Sequence, residues 1–211
     1  MADNFKLDVD ADGIALITWD MPGKSMNVID MAVIQELSAL VEKIAADAAI
    51  KGAVITSGKD TFCAGADLTL LDSLTRMFAD MAKKEGEVAA ATLLFNESRK
   101  LSQLYRRIET CGKPFAAAIN GTALGGGFEL CLASHHRVAA ENDKTRLGLP
   151  EVKIGLFPGA GGTQRICRMM PASDALQLLL KGDQLRLNRA KAMKLVDAVV
   201  PAGDMIKAAK E

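Results

Sequence analysis

The chain has 211 residues, of which 49% are hydrophobic, a length and composition typical of one globular domain with a substantial core. Its 26 basic and 26 acidic residues cancel, and no basic stripe with interleaved aromatic residues is present, which argues against a nucleic-acid-binding surface. No apolar run approaches the roughly 18 residues that cross a bilayer, and the N-terminus carries no signal pattern, so we expect a cytoplasmic protein without a membrane span.

The first predicted unit is a strand followed by a helix. Residues 14–19 form a β-rich run that ends at a Met-Pro-Gly turn. Asp30 then precedes apolar residues at helical spacing, and a carboxylate at this point is suited to capping a helix. The apolar positions of the predicted helix are Val33, Ile34, Leu37, Leu40, Val41 and Ile44.

The same arrangement recurs further along the chain. Apolar runs at residues 53–56 and 115–119 predict buried strands. Between them, residues 72–107 are rich in Ala, Leu, Lys and Glu with an interruption at Gly86, which predicts one or two covering helices without a catalytic motif. Buried strands that alternate with helices indicate an α/β fold. Later helices are predicted at residues 161–170, 173–180 and 189–195.

The cysteines and histidines do not have the spacing of metal ligands. No two cysteines are related by C-x-x-C, and the two histidines are neighbours. We therefore expect no metal site, and unpaired thiols fit a reducing cytoplasm. Cys63 is interpreted as a small buried hydrophobe rather than a reactive thiol, and the histidines as structural. The residues concerned are Cys63, Cys111, Cys131, Cys167, His135 and His136.

Two glutamates follow turns at which the backbone can approach a ligand closely. Glu129 comes after the glycines at residues 125–127, and Glu151 comes directly after Pro150. Taken singly, each is more typical of an exposed helical or capping glutamate. Together they predict two carboxyl groups that converge on one small reactant.

A further glycine-rich stretch invites a different interpretation. Residues 159–164 begin like a dinucleotide-binding fingerprint, but the final glycine is missing and no clear strand precedes them. We therefore expect no nicotinamide site in this chain.

Together with the two glutamate turns, three other motifs resemble the enoyl-CoA hydratase (crotonase) family. The likeness runs from about residue 12 to residue 201. It implies an α/β crotonase-like (ClpP/crotonase) fold, with repeated β-β-α units in a superhelix and helices around the sheets, within a single domain of residues 1–211. The motifs are Phe-Cys-Ala-Gly-Ala-Asp-Leu at 62–68, Lys-Pro-Phe-Ala-Ala-Ala-Ile-Asn-Gly at 113–121 and Pro-Gly-Ala-Gly-Gly-Thr-Gln-Arg at 158–165.

The resemblance implies roles for four residues. Glu129 as a carboxylate would activate a water toward C3 of the substrate, and protonated Glu151 would supply the proton to C2. The backbone N–H groups of Ala66 and Gly126 would form the oxyanion hole for the thioester carbonyl. Two nearby carboxyls resist double ionisation, so a shared proton is physically expected.

The resemblance also implies positions that contact the acyl-CoA substrate. Backbone around Met26 and Ala64 would cup the CoA, with Asp67 and Leu68 continuing the wall. For the side chains of Met26 and Leu68 an ordinary core position is an equally good interpretation. The complete predicted set is Met26, Val28, Ala64, Asp67, Leu68, Gly125, Pro150 and Gly159.

The expected activity is syn hydration of a 2-trans-enoyl-CoA to a 3-hydroxyacyl-CoA in fatty-acid β-oxidation, with no cofactor besides the CoA of the substrate. A 3,2-enoyl-CoA isomerase is the alternative within the family, because one glutamate can shuttle a proton beside the same oxyanion hole. A non-catalytic acyl-CoA-binding scaffold is the alternative from another class, but it gives no reason for both glutamates.

Two departures from the family pattern bear on these expectations. The insertion near residues 141–144 lengthens a turn, which surface loops tolerate. The chain also ends soon after Pro201, where the family continues into helices that cover the site and help to build trimers. The sequence most resembles the hydratase portion of bacterial multifunctional fatty-acid oxidation proteins, which would continue into an NAD-dependent dehydrogenase. We expect a homo-oligomer of the trimer type or part of such a complex.

Overall fold

A six-stranded sheet forms the centre of the computed structural model, which describes residues 4–211 apart from the side chains of Leu68 and Leu71. The strand order is β1-β2-β3-β4-β6-β8; β1 and β2 pair antiparallel, and the other neighbours pair parallel. A second, two-stranded parallel sheet contains β5 and β7. The strands are β1 (Phe5–Val9), β2 (Ile14–Trp19), β3 (Gly52–Ser57), β4 (Phe115–Ile119), β5 (Ala123–Leu124), β6 (His136–Ala140), β7 (Leu147–Gly148) and β8 (Ala198–Val200).

Helices surround the sheets. Within residues 4–211, no helix is both long and apolar enough to cross a membrane. Short 3-10 helices lie at Glu151–Ile154 and Ala202–Asp204. The α-helices are α1 (Met31–Ala46), α2 (Leu68–Glu85), α3 (Glu87–Thr110), α4 (Gly126–Ala133), α5 (Gly162–Met169), α6 (Ala172–Lys181), α7 (Leu187–Ala192) and α8 (Met205–Lys210).

The apolar runs predicted as strands lie in the middle of the main sheet. Every residue of β3 and β4 is buried. Parallel strands covered by helices on both faces require this continuous apolar pattern. On one face, Met205 and Ala209 of α8 pack in a cluster with residues of the sheet, namely Val54, Ala116, Ala118, Val138 and Ala140.

The predicted helix after Asp30 is confirmed, together with its cap. The Asp30 side chain accepts a hydrogen bond of 2.8 Å from the N–H of Val33 and so pairs one of the free donors of the first turn. Of the predicted apolar face, Leu40 is only half-buried. The buried positions are Val33, Ile34, Leu37, Val41 and Ile44.

The interruption at Gly86 separates two helices. Gly86 has φ 90°, a left-handed conformation that glycine adopts at low cost, and its N–H donates to the carbonyl of Ala82 at the end of α2. The prediction of a helix over residues 189–195 is wrong at both ends, since α7 begins two residues earlier and ends three residues earlier. The structure ends α7 at Ala192, and Lys194 has φ 60°, which a continuing helix does not allow.

The predicted β-β-α repeat is present. After β3, Cys63 and Ala66 form parallel bridges before α2 begins, and β4 is followed by β5 and then α4. Likewise β6 is followed by β7 and the 3-10 helix at Glu151. Each repeat therefore brings a short segment of the second sheet to a helix start, and the predicted functional residues lie at these transitions.

Candidate functional site

Three chain segments lie side by side where the second sheet ends. The N–H of Leu124 donates to the carbonyl of Cys63 at 3.0 Å, and the N–H of Gly125 donates to the carbonyl of Gly148 at 2.9 Å. Because the segments run parallel, their carboxyl ends lie on the same side. The turns that carry Ala66, the glycine run and Glu151 are therefore neighbours.

Glycine allows two of these turns to touch. Gly65 has φ 103° and Gly125 has φ 53°, both in the left-handed region. A methyl group built on Gly65 would lie 3.2 Å from the Leu124 carbonyl oxygen, and one built on Gly125 would lie 3.7 Å from Cα of Gly65. The close backbone approach at this point therefore requires glycine.

The two predicted oxyanion-hole N–H groups have no acceptor among the described residues. Gly126 is the first residue of α4, so its N–H has no intrahelical partner. Beside Ala66, the hydrogen bonds to Ile29 use the carbonyl of Gly65 and the N–H of Asp67 instead. Both N–H groups lie at neighbouring turns, and the start of α4 adds the partial positive charge of a helix N-terminus.

Glu129 is held by one of its carboxyl oxygens. Its side chain is buried, at 2% exposure, and Oε1 accepts hydrogen bonds from the N–H groups of Ala160 (2.9 Å) and Gly162 (2.7 Å). The other oxygen, Oε2, lies 4.0 Å from the position that a methyl group on Gly126 would take. The side chain therefore presents one oxygen beside the predicted oxyanion-hole glycine.

Burial raises the pKa of Glu129 to about 7, and the negative charge of Glu151 adds to the rise. The two N–H donors and the positive charge of Arg165 act in the opposite direction. A carboxyl with a pKa near neutrality can accept or release a proton under physiological conditions.

Glu151 faces the same glycine turn. It begins the 3-10 helix after Pro150, and its Oε1 lies 3.0 Å from the position that a methyl group on Gly125 would take. Its Oε2 is buried and has no hydrogen-bond partner within residues 4–211. Burial raises the pKa of Glu151, which favours the protonated form. The structure thus brings the two predicted carboxyls to adjacent glycines.

The predicted CoA-contacting positions differ in exposure. Ala64 and Met26 are exposed, Met26 at 42%, so the alternative interpretation of Met26 as a core residue is wrong. Val28 is half-buried. The side chain of Leu68 lies outside the described residues, so neither of its interpretations is tested.

The Asp67 side chain caps a helix, a role that was not predicted from the sequence. Its carboxylate accepts the N–H of Thr69 at 2.9 Å and caps α2, and it also pairs with Lys24 Nζ at 3.1 Å. Bonds from the backbone and hydroxyl of Thr69, followed by Lys24, lower the pKa of Asp67 to about 2. The carboxylate is already engaged, so a substrate contact at this position would use the backbone.

The remaining predicted positions lie around the two glutamates. Pro150 directly precedes the 3-10 helix of Glu151. Gly159 is exposed, and a methyl group on it would meet no described atom within 4 Å. Its neighbours Ala160 and Gly162 carry the N–H groups that hold Glu129, a role that the sequence did not indicate.

The segment predicted to carry no catalytic motif also reaches the site. The hydroxyl of Tyr105, on α3, donates a 2.8 Å hydrogen bond to the carbonyl of Gly126. Tyr105 is fully buried and was missed, because an isolated tyrosine in an amphipathic helix carries no sequence signal that distinguishes it from core.

Other reactive groups are accounted for by packing. Cys63 is buried, and burial raises the pKa of its thiol to about 12, which confirms its interpretation as a small hydrophobe. His135 accepts the N–H of Phe115 at Nδ1, a structural contact as predicted. Among the described side chains, no group of three or more His, Cys, Asp or Glu residues is placed to hold a metal ion.

Comparisons with known proteins indicate the same family as the sequence motifs. The sequence model of a family described as enoyl-CoA hydratase/isomerase matches residues 10–211. Two curated proteins named fatty acid oxidation complex subunit alpha match the whole chain, with 42% identity over 212 residues in Shewanella amazonensis and 43% over 213 residues in Shewanella halifaxensis. The chain spans 28% of the length of each of these relatives.

Solved structures share the fold. An enoyl-CoA hydratase from Bacillus anthracis superposes with a TM-score of 0.81 at 29% identity, covering 98% of this chain and 74% of that one. An enoyl-CoA hydratase from Polaromonas sp. JS666 gives 0.80 at 26% identity, with the same coverage of 98% and 74%.

Proposed function

The chain belongs to the enoyl-CoA hydratase/isomerase family, and we propose that it adds water across the double bond of a 2-trans-enoyl-CoA to give a 3-hydroxyacyl-CoA. The membership and the shared fold confirm the predicted resemblance. The observation that carries the proposal is the pair of carboxyls, Glu129 and Glu151, placed at adjacent glycines beside two backbone N–H groups that have no acceptor within residues 4–211.

The N–H groups of Ala66 and Gly126 bind the thioester carbonyl oxygen in this proposal. As water adds at C3, electrons of the double bond move to this oxygen and form an enolate. Preorganised donors stabilise that charge more than the neutral carbonyl, and each is worth roughly 3 kcal/mol in comparable oxyanion holes. Two backbone donors therefore supply a large share of the barrier reduction.

The glutamates supply the base and the acid. Glu129, as a carboxylate, takes a proton from water while the hydroxide oxygen bonds to C3. The enolate then collapses and takes a proton at C2 from Glu151. This leaves Glu129 protonated and Glu151 ionised, and transfer of one proton between them through a water restores the starting state. The net reaction is the addition of one water.

This chemistry uses no cofactor besides the CoA of the substrate, because side chains and backbone provide acid, base and oxyanion stabilisation. Dialysis against EDTA should therefore leave the rate of crotonyl-CoA hydration unchanged. A rate that falls after dialysis and returns with a divalent metal ion would contradict the proposal.

The cellular setting is proposed from the relatives and the thiols. Because similar proteins are named as subunits of a fatty acid oxidation complex, we place the reaction in β-oxidation, in a homo-oligomer or in a larger complex. Cysteines 63, 111, 131 and 167 are free, which fits a reducing cytoplasm.

The deciding experiment compares two substrates by ultraviolet absorbance. Hydration removes the absorbance of the conjugated crotonyl thioester, whereas isomerisation of a 3-enoyl-CoA creates it. We expect faster turnover of crotonyl-CoA. Preference for the 3-enoyl substrate would replace the hydratase by the isomerase. Tight binding of acetoacetyl-CoA by calorimetry with no turnover of either substrate would indicate a scaffold.

A further inference from the structure

Arg165 connects three parts of the fold. Its side chain is 11% exposed, its Nε donates to Oε1 of Glu109 at 2.7 Å, and its Nη1 donates to the carbonyl of Ala160 at 2.7 Å. A planar guanidinium fixes two such directions at once, which a lysine ammonium on a flexible stem does not. The arginine therefore ties α5 to α3 and to the loop before α5.

That loop holds Glu129. The same residue, Ala160, accepts from Arg165 through its carbonyl and donates to Glu129 through its N–H. Gly161, between the two N–H donors, has φ 99°, and a methyl group on it would lie 2.5 Å from Arg165 Nη1. The loop before α5 therefore packs closely around the guanidinium. Hydrogen bonds connect Glu109 to Glu129 through Arg165 and the backbone of Ala160.

The position of Glu109 is itself defined by the site. Glu109 lies one helical turn after Tyr105, on the same side of α3. Tyr105 donates to the carbonyl of Gly126. One side of α3 therefore contacts the glycine of the proposed oxyanion hole through Tyr105 and the loop that holds Glu129 through Glu109 and Arg165.

We propose that Glu109 and Arg165 are positioning residues, which hold the loop of Ala160 and Gly162 so that Oε2 of Glu129 is aimed at the reacting water. The proposal rests on the hydratase function proposed above. Neither residue touches the reacting atoms in this scheme. A displacement of about 1 Å at a catalytic group can cost roughly 100-fold in rate, which is the scale on which such positioning acts.

A charge effect accompanies the geometric one. The titratable groups that face Glu129 are Glu151 from the 3-10 helix, Arg165 from α5 and Tyr105 from α3. Burial and the charge of Glu151 raise the pKa of Glu129, whereas the charge of Arg165 lowers it. Removal of the guanidinium should therefore raise the pKa of Glu129 further and also release the loop.

The test compares Arg165→Gln with Arg168→Gln. Arg168 lies on the same helix, is exposed, and bonds only to Gln164 among the described residues, so it is a matched control. The titration of Glu129 is followed by carbon-13 NMR of the glutamate carboxyls, with the signal assigned by its absence in Glu129→Gln. The pH profile of crotonyl-CoA hydration is measured in parallel.

We expect Arg165→Gln to move the Glu129 titration and the rising limb of the kcat/KM profile to higher pH. Its kcat should fall by roughly tenfold to 100-fold with KM within about twofold of the parent protein. Arg168→Gln should change neither. An unchanged titration with an unchanged kcat in Arg165→Gln overturns the proposal, since a purely structural ion pair would leave both in place.

Two further variants test the proposal if Arg165→Gln does not fold. Arg165→Lys keeps the charge but cannot bridge Glu109 and Ala160 in the same way, so its kcat should fall while Glu129 titrates near the parent value. Glu109→Gln keeps an acceptor for Arg165 and should not raise the Glu129 pKa. Full kcat in Arg165→Lys overturns the proposal. If the parent protein does not hydrate crotonyl-CoA, the proposed function fails, but the NMR titration still decides whether Arg165 controls Glu129.

Discussion

Gly162 donates its N–H to Oε1 of Glu129 at 2.7 Å, and a methyl group built on Gly162 would lie 2.9 Å from that same oxygen. The carboxylate therefore rests directly on the backbone of this residue. A side chain at position 162 cannot be added without moving Glu129 or the loop that holds it.

Gly162→Ala should consequently lower the rate of crotonyl-CoA hydration by roughly tenfold to 100-fold, because the methyl group would also press on Leu149 Cδ1 at 2.8 Å and the carboxylate would shift. Gly203→Ala is the control, since a methyl group there meets no described atom within 4 Å. Initial rates of the two folded variants make the comparison. Equal rates would show that Glu129 tolerates displacement.

The glutamates themselves can be replaced with little change of shape. Glu129→Gln and Glu151→Gln should each lower hydration by at least roughly 100-fold, because each removes a proton transfer. Acetoacetyl-CoA affinity by calorimetry should stay near that of the parent protein, because no wall of the site is removed. Turnover close to the parent rate in both variants would end the hydratase assignment.

The proposed oxyanion donor at Gly126 can be tested by comparing two substitutions. Proline and alanine both add a Cβ, whose nearest neighbour would be Ile29 Cδ1 at 2.7 Å, but only proline removes the N–H. Proline is tolerated at the first position of a helix, where the N–H has no helical partner. We expect Gly126→Pro to lose roughly 100-fold to 1,000-fold in kcat, and far more than Gly126→Ala loses. Similar losses in the two folded variants would show that bulk, and not the donor, matters there.

Burial of Glu129 predicts a pH-dependent stability. The pKa rises from an ordinary value of 4.5 to about 7 on folding, so the unfolded chain releases the proton first as pH increases. Below pH 4.5 Glu129 is protonated in both states, and its burial does not destabilise the folded protein. The free energy of unfolding then decreases between pH 4.5 and 7, and above pH 7 the whole decrease is present. That difference corresponds to roughly 3 kcal/mol.

Glu129→Gln removes this cost while an amide oxygen can still accept the N–H groups of Ala160 and Gly162. Its Tm should exceed that of the parent protein by several degrees at pH 8.5, and the gain should shrink toward pH 4.5. Thermal unfolding followed by circular dichroism at both pH values measures it. A gain that does not depend on pH would mean that Glu129 ionises in the folded protein as easily as in water.

Local signals made much of this site predictable from the sequence. Asp30, Gly86 and the glycines around Gly126 determine caps and turns through their own conformational preferences, so they mark helix boundaries without knowledge of the fold. Glu129 and Glu151 follow such boundaries, which is why the chain itself indicates that they belong together.

Contacts that depend on the register of packed helices could not be predicted in this way. Glu109 and Arg165 are 56 residues apart, and neither is distinguished from a surface charge in the sequence. The N–H of Ala160 has no side-chain signature at all. The helix predicted over residues 189–195 failed for a related reason, because nothing local required Lys194 to adopt a left-handed conformation.

The parallel pairing of the short segments also determines when the site can come into existence. Parallel neighbours are joined by long crossovers, and contacts between residues distant in sequence form slowly because chain entropy must be lost first. Glu129 bonds to donors 31 and 33 residues further along the chain. During synthesis it therefore leaves the ribosome well before Ala160, Gly162 and Arg165. A growing chain that ends between residues 151 and 159 contains both glutamates and the glycine run, yet it lacks the groups that hold Glu129 in place.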